Sequence, residues 1–220
     1  MTCSANGLAY STTMRHLLPL LLLLGAAPAA APPGTIRVRL DTAAGPITLA
    51  LDAKRAPKTT ANFLLYVDDG RLDGTTFFRA ARRKAAPGGF VQGGPGTDAR
   101  RLLPPVPLEP TSRTGLRHID GAISMARFDR PDSGTANFSI LVGATPSMDA
   151  RAGNPGYAVF GRVVAGMDTV KRILAQPTGP GGSGAMKGQL LVRPVIIRRA
   201  VRLDGVARPT GRPKPWALGL

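Results

Sequence analysis

The sequence predicts a mainly β domain, an antiparallel sandwich or closed barrel carrying only two helices. Three observations lead there. Short runs that alternate apolar and polar residues recur along most of the chain, which is the period of half-buried strands. The turns between them are written in glycine and proline, 27 and 21 of 220 residues. Only two segments change to a helical period, too few to supply the crossover helices that a parallel sheet needs.

The elements follow in order. TIRVRLDT (35–42) alternates Ile, Val and Leu with Arg and Asp, and Gly45-Pro46 turns it into a second strand over 47–51 as an opening hairpin. Pro57 suits the first turn of a helix, and Ala61, Leu64 and Leu65 then recur at helical spacing as far as Gly70. Strands are expected over 75–80, 89–92, 121–126, 135–142 and 157–164. A second helix over 167–175 stops before Pro177, and a last strand falls within 190–203. Residues 205–220, punctuated by Pro and Gly and holding the only tryptophan, Trp216, are expected to form a mobile tail, with a docked Trp216 as the alternative.

The stretch TTFFRAARRKAAPGGFVQGG (75–94) reads as two strands around a basic, glycine-containing loop. Alternation puts Phe77 and Arg79 on one face, and Phe90 and Gln92 on one face. A cation and an amide would then share a sheet surface with aromatic rings.

The start of the chain is not core. Arg15 precedes HLLPLLLLLGAAPAAAPP, a leucine run followed by small residues, which is the layout of a secretory signal over 1–31. The run is too short for a stable transmembrane helix, so no membrane anchor is expected. Residues 1–13 carry no charge, which makes Met14 a second candidate start. The domain over 32–204 would then be exported, to the periplasm, without disulfides, because the one cysteine is Cys3.

With 29 basic against 13 acidic residues the formal net charge is +16. The arginines are spread along the chain with few aromatics among them, so they read as a solvated surface rather than a specific nucleic-acid site. A basic nucleic-acid or membrane-surface binder stays a lesser alternative. His16 lies in the leader, which leaves His118 as the domain's histidine. No metal or other cofactor is expected, and no nucleophile elbow or phosphate loop occurs.

One reaction needs neither nucleophile nor metal: rotation about an X-Pro peptide bond. Its barrier of ~20 kcal/mol is the lost amide resonance. An enzyme need only favour the twisted amide, whose nitrogen regains its lone pair. A fixed guanidinium can donate a hydrogen bond there while an apolar pocket grips the proline ring. Arg79 beside Phe90 and Gln92 has the right chemistry.

FFRA with FVQGG, then GAISMAR, TANFSILV and YAVFGRVVAGMDTV, resemble the successive signature segments of the cyclophilin-type peptidyl-prolyl cis-trans isomerases, and the exported bacterial branch in particular. The resemblance runs in order from about Thr35 to Leu203. It implies a closed eight-stranded antiparallel β-barrel capped by two α-helices, no cofactor, proline-containing polypeptide clients and a monomer. It also implies site roles. Arg79 would be catalytic, with Gln92 orienting it and the substrate. Ala126 would bind substrate backbone, with Arg127 next to it. Asn137 replaces a glutamine, and Tyr157 and Met148 would wall the proline site.

Departures accompany the match. Phe78 stands where histidine is usual, and Ser147 where cytosolic members have tryptophan. About five extra residues separate Arg79 from Gln92, so a pocket phenylalanine aligns with Gly89 unless Phe90 takes its part. Ser139 stands in place of a second pocket phenylalanine and is expected on the groove face. A catalytically weak, peptide-binding chaperone is therefore the alternative to an active isomerase.

Overall fold

Eight of the strands of this domain find a partner on both sides, which removes the exposed edges of an open sheet. The structure, a computed structural model, describes residues 1–2 and 33–218. The expected leader over 1–31 thus lies almost wholly outside the described residues. Strand β1 (Thr35–Thr42) pairs with β2 (Gly45–Asp52) from Thr35↔Asp52 to Thr42↔Gly45, the predicted hairpin. Helix α1 (Pro57–Asp68) follows, then β3 (Thr76–Arg82), β4 (Gly89–Gly94) and a single-turn helix α2 (Thr111–Thr114). Strands β5 (Ala122–Met125), β6 (Phe138–Val142) and β7 (Ala158–Ala165) lead to α3 (Met167–Leu174), the two-residue β8 (Thr178–Gly179) and the long β9 (Leu190–Arg202).

Around the sheet the order is β1-β2-β7-β5-β6-β4-β3-β9, and β9 returns to pair with β1. Eight antiparallel strands thus close a barrel, and β8 only lengthens the rim beside β9. The short turn α2 was not expected, since four residues carry too little pattern to read.

The barrel interior is one apolar cluster. Leu40, Ile47, Leu49, Phe77, Ile123, Phe138, Ile140 and Phe160 are all fully buried or within 1% of it. Helix α1 adds Phe63, whose ring meets Phe138 edge-on at 5.4 Å and Phe160 at 5.3 Å, while Phe138 meets Phe77 at 5.6 Å. Helix α3 adds Val170, Ile173 and Leu174. The start of α1 is capped from far along the chain: Glu109, buried, accepts from the backbone N–H of Lys58 and Thr59 and from the Thr59 hydroxyl, at 2.7–3.1 Å. A carboxylate there satisfies orphan amides and complements the helix dipole.

One expectation is corrected. Phe77 and Arg79 do not share a face, because a bulge at Phe78 breaks the alternation: Phe77 pairs with Gly93 and Arg79 with Gln92. Phe77 therefore enters the core while Arg79 turns outward. The tail takes the docked alternative. Thr210 donates its backbone N–H to Asp69 Oδ1 at 2.6 Å and its hydroxyl to Oδ2, and Arg208 N–H reaches Asp68 at 2.9 Å. The Trp216 ring lies against two guanidinium groups, its centroid 4.6 Å from Arg71 and 5.2 Å from Arg101. Beneath it the buried Asp69–Arg71 ion pair measures 2.8 Å.

Candidate active site

The β3 bulge decides where the cation points, and strand register decides its company. Residues directly opposite across neighbouring strands are Arg79↔Gln92, Gln92↔Ser139 and Ser139↔Ser124, a single row over β3, β4, β6 and β5. This row lies on the outer face of the barrel, since the alternate residues Ala80, Val91, Phe138, Ile140 and Ile123 line the core. Arg79 Nη1 donates to Gln92 Oε1 at 2.9 Å. Its guanidinium carbon lies 5.0 Å from the centroid of the Phe90 ring. Both side chains are half-buried, and burial lowers the pKa of Arg79, with Tyr157 acting in the opposite sense. An arginine remains charged under such a shift, and in a partly dry setting each of its hydrogen bonds is stronger than in water.

The loop inserted between β3 and β4 explains the missing ring. Gly89 has φ +144, and a Cβ there would lie 2.0 Å from the Ala81 carbonyl oxygen, so no side chain fits. Phe90 takes the outward position beyond it, across from Leu141 and beside Arg79. The loop is itself pinned: Arg82 donates to the Leu174 and Gln176 carbonyls at the end of α3, and Arg83 to those of Val142 and Ala144.

On the opposite flank, Arg127 stacks over the Tyr157 ring at 4.9 Å and donates to the Gly156, Phe128 and Asp129 carbonyls. Tyr157 N–H donates to the Met148 carbonyl at 3.1 Å, so Met148 and Tyr157 belong to one wall. Ala126 N–H donates to the Asn137 carbonyl at 2.8 Å. The Asn137 side chain is spent on Gly96, donating to its carbonyl and accepting its N–H at 2.9 and 2.8 Å. It shapes the loop after β4 rather than aiming a free amide at a ligand.

Ser139 is on the groove face as expected, but only 5% of it is exposed. Beside it Ser124 approaches His118 Nε2 at 2.9 Å, and His118 Nδ1 lies 2.7 Å from Asp149 Oδ1. Composition makes this a Ser-His-Asp set. Ser124 and His118 are each 1% exposed, so no substrate carbonyl can reach the hydroxyl. Burial lowers the His118 pKa against the pull of Asp149, which favours a neutral ring bridging Ser124 of β5 and Asp149.

Sequence reasoning missed two partners of Arg79. Gln189, the residue before β9, accepts from Nε at 2.9 Å and Nη2 at 2.7 Å, and the Ala185 carbonyl accepts from Nη2 at 2.9 Å. Their only sequence signal is a polar residue at the end of a glycine-rich run, which reads as a turn. A cavity of about 590 Å³ lies elsewhere, over β2, β7 and β5, and includes none of the site residues above. Among the described residues no group of three or more His, Cys, Asp or Glu could hold a metal, and no helix is long and apolar enough to cross a membrane.

Comparison with known proteins identifies the family. Residues 36–200 match the family model for cyclophilin type peptidyl-prolyl cis-trans isomerase/CLD. The peptidyl-prolyl cis-trans isomerase A of Dickeya dadantii is 38% identical over 164 residues, 73% of this chain and 84% of that protein. The isomerase cyp18 of Streptomyces antibioticus is 38% identical over 167 residues, 74% of this chain and 96% of that protein. Isomerase B of Escherichia coli is 33% identical over 151 residues, 66% and 88% of the two chains. The crystal structure of a Cryptosporidium parvum cyclophilin type isomerase shares the fold with a TM-score of 0.61, at 21% identity, over 78% of this chain and 99% of that one. On the family match and the bacterial relatives together, the chain belongs to the cyclophilin-type peptidyl-prolyl cis-trans isomerases.

Proposed function

We propose that this protein interconverts the cis and trans forms of X-Pro bonds in exported polypeptides, with Arg79 as the catalytic group. The observation that carries the reading is the fixed guanidinium on the outer barrel face, bonded to Gln92 and stacked on Phe90. As the X-Pro bond twists, its nitrogen becomes a hydrogen-bond acceptor, and a preset donor stabilises the twisted form more than either planar one. Phe90, Met148 and Tyr157 offer the apolar surface for the proline ring. Ala126 and its neighbour Arg127 flank the path of the substrate backbone.

A protease-coupled assay on peptides containing Ala-Pro tests this. The wild type should accelerate isomerisation, and Arg79→Ala should lower kcat/KM by about 10²-fold with the fold intact. Arg79→Lys should recover little, because an ammonium lacks the planar fork that meets several acceptors. A wild-type rate no higher than that of Arg79→Ala would favour the second reading, a peptide-binding chaperone. That reading draws on Gly89 and Ser139, which leave fewer rings around the proline site.

Export follows from the leader composition, with a mature terminus near Ala30 or Pro32 and a periplasmic, monomeric product. Terminal sequencing of periplasmic protein checks the cleavage, and light scattering the monomer. Nucleic-acid binding should be weak, sequence-independent and abolished by salt, because the positive charge is dispersed.

A further inference from the structure

We propose that Gln189 is a positioning residue that, with Gln92, locks the Arg79 guanidinium and leaves one N–H on Nη1 for the substrate. This rests on the isomerase reading and assigns part of its machinery to a segment outside the signature motifs.

The count of donors carries the inference. A guanidinium has five N–H groups: one on Nε and two on each Nη. Nε is taken by Gln189, both donors of Nη2 are taken by Gln189 and the Ala185 carbonyl, and one donor of Nη1 is taken by Gln92. Among the described residues this leaves a single uncommitted N–H, and it lies on the nitrogen that faces Gln92. The substrate must therefore meet Arg79 from the β4 side and not from the side of the glycine-rich segment.

The backbone is arranged for this. Strand β3 has β4 on one side and β9 on the other, and Arg79 stands opposite Gln92 in one and Leu190 in the other. The two glutamines thus reach the same guanidinium from its two flanking strands. Gln189 is held in place by its own carbonyl, which accepts the Ala80 N–H at 2.9 Å. Between the pairs Phe77↔Val195 and Arg79↔Leu190, β3 spends one residue where β9 spends four, with Pro194 among them. That bulge takes up the surplus length of β9 and sets Gln189 beside Arg79. A long, flexible cation on an open sheet would otherwise sample many rotamers, so restraining it from both sides preorganises the donor.

The test uses the full chain labelled with ¹⁵N, and reads the arginine Nε–H resonances alongside kinetics. The Arg79 signal, identified by its loss in Arg79→Lys, should be protected from exchange in the wild type. In Gln189→Leu this signal should vanish and kcat should fall about tenfold, with KM within about twofold, because the donor is loosened but the proline site is untouched. In Gln92→Leu the Nε–H signal should persist, since Gln92 binds Nη1 alone. Gln189 is half-exposed, so the fold should survive; Gln189→Ser, which also lacks an acceptor at that reach, must give the same result. A retained Nε–H signal or an unchanged kcat in Gln189→Leu would overturn the proposal. An inactive wild type with a protected Nε–H would instead sink the isomerase reading and leave the clamp standing.

Discussion

The Arg79 guanidinium carbon lies 5.0 Å from the centroid of the Phe90 ring, and this contact links the loop between β3 and β4 to the candidate site. The loop residues before Phe90 end at Gly89, where no side chain fits, so the ring that supports the cation comes one position later. A half-buried cation–π pair is worth about 1 kcal/mol. Phe90→Leu should accordingly cut kcat/KM about fivefold without unfolding the domain, as followed by the coupled assay and circular dichroism.

Restoring the family's ring at Ser139 should not help. Ser139 is nearly inaccessible, opposite Gln92 on one strand and Ser124 on the other. A phenyl group there overpacks the sheet face, so Ser139→Phe should cost about 1–3 kcal/mol in urea denaturation. If Ser139→Phe keeps full stability and raises activity, the site holds more space than the structure shows.

The Glu109 cap predicts a stability effect. Glu109→Ala strips the first turn of α1 of a charged acceptor for two amides and a hydroxyl. The loss should be about 1–3 kcal/mol by denaturant unfolding, with kcat unchanged.

His118 sets the direction of a pH effect. Its folded pKa lies below the ordinary 6.5 because it is buried. The unfolded chain therefore takes up the proton first as pH falls, and stability present above about pH 6.5 is lost below it. His118→Asn should be less stable at pH 7.5, and its stability should slope less than that of the wild type between pH 6.5 and 5. Parallel slopes in the two proteins would assign the acid sensitivity elsewhere.

Trp216, the one tryptophan, reports on the tail directly. Deleting residues 205–220 removes Trp216 and the Thr210 bonds to Asp69, whose pKa burial pushes up but these bonds and Arg71 hold below the usual carboxylate value. The truncated domain should lose about 1–3 kcal/mol, most of it at the α1 end of the barrel. Trp216 fluorescence in the full chain should change together with the loss of secondary structure on heating; an earlier change would show the tail detaching by itself.

Strand existence was legible at residues such as Val38, Leu40, Ile47 and Leu49, because one buried face imposes a period of two. The site was legible as residue types: Arg79, Gln92 and Phe90 do meet. Their geometry was not. Alternation placed Arg79 with Phe77, and only the bulge at Phe78 separates the cation from the core. Local pattern also could not anticipate that Asn137 would be consumed by Gly96, or that tail residues would find Asp68 and Asp69 some 140 positions away.

By itself, then, the sequence determined the strands, the two longer helices and the chemistry on offer, since these depend on periodicity and on side-chain type within a few residues. Tertiary structure decided which strands close the ring, which face Arg79 takes, and that Gln189, 110 residues away, fixes its guanidinium. The physical reason is that a hydrogen bond between distant residues leaves no mark on local hydropathy. Its partners become neighbours only when β9 pairs with β3 and the barrel shuts.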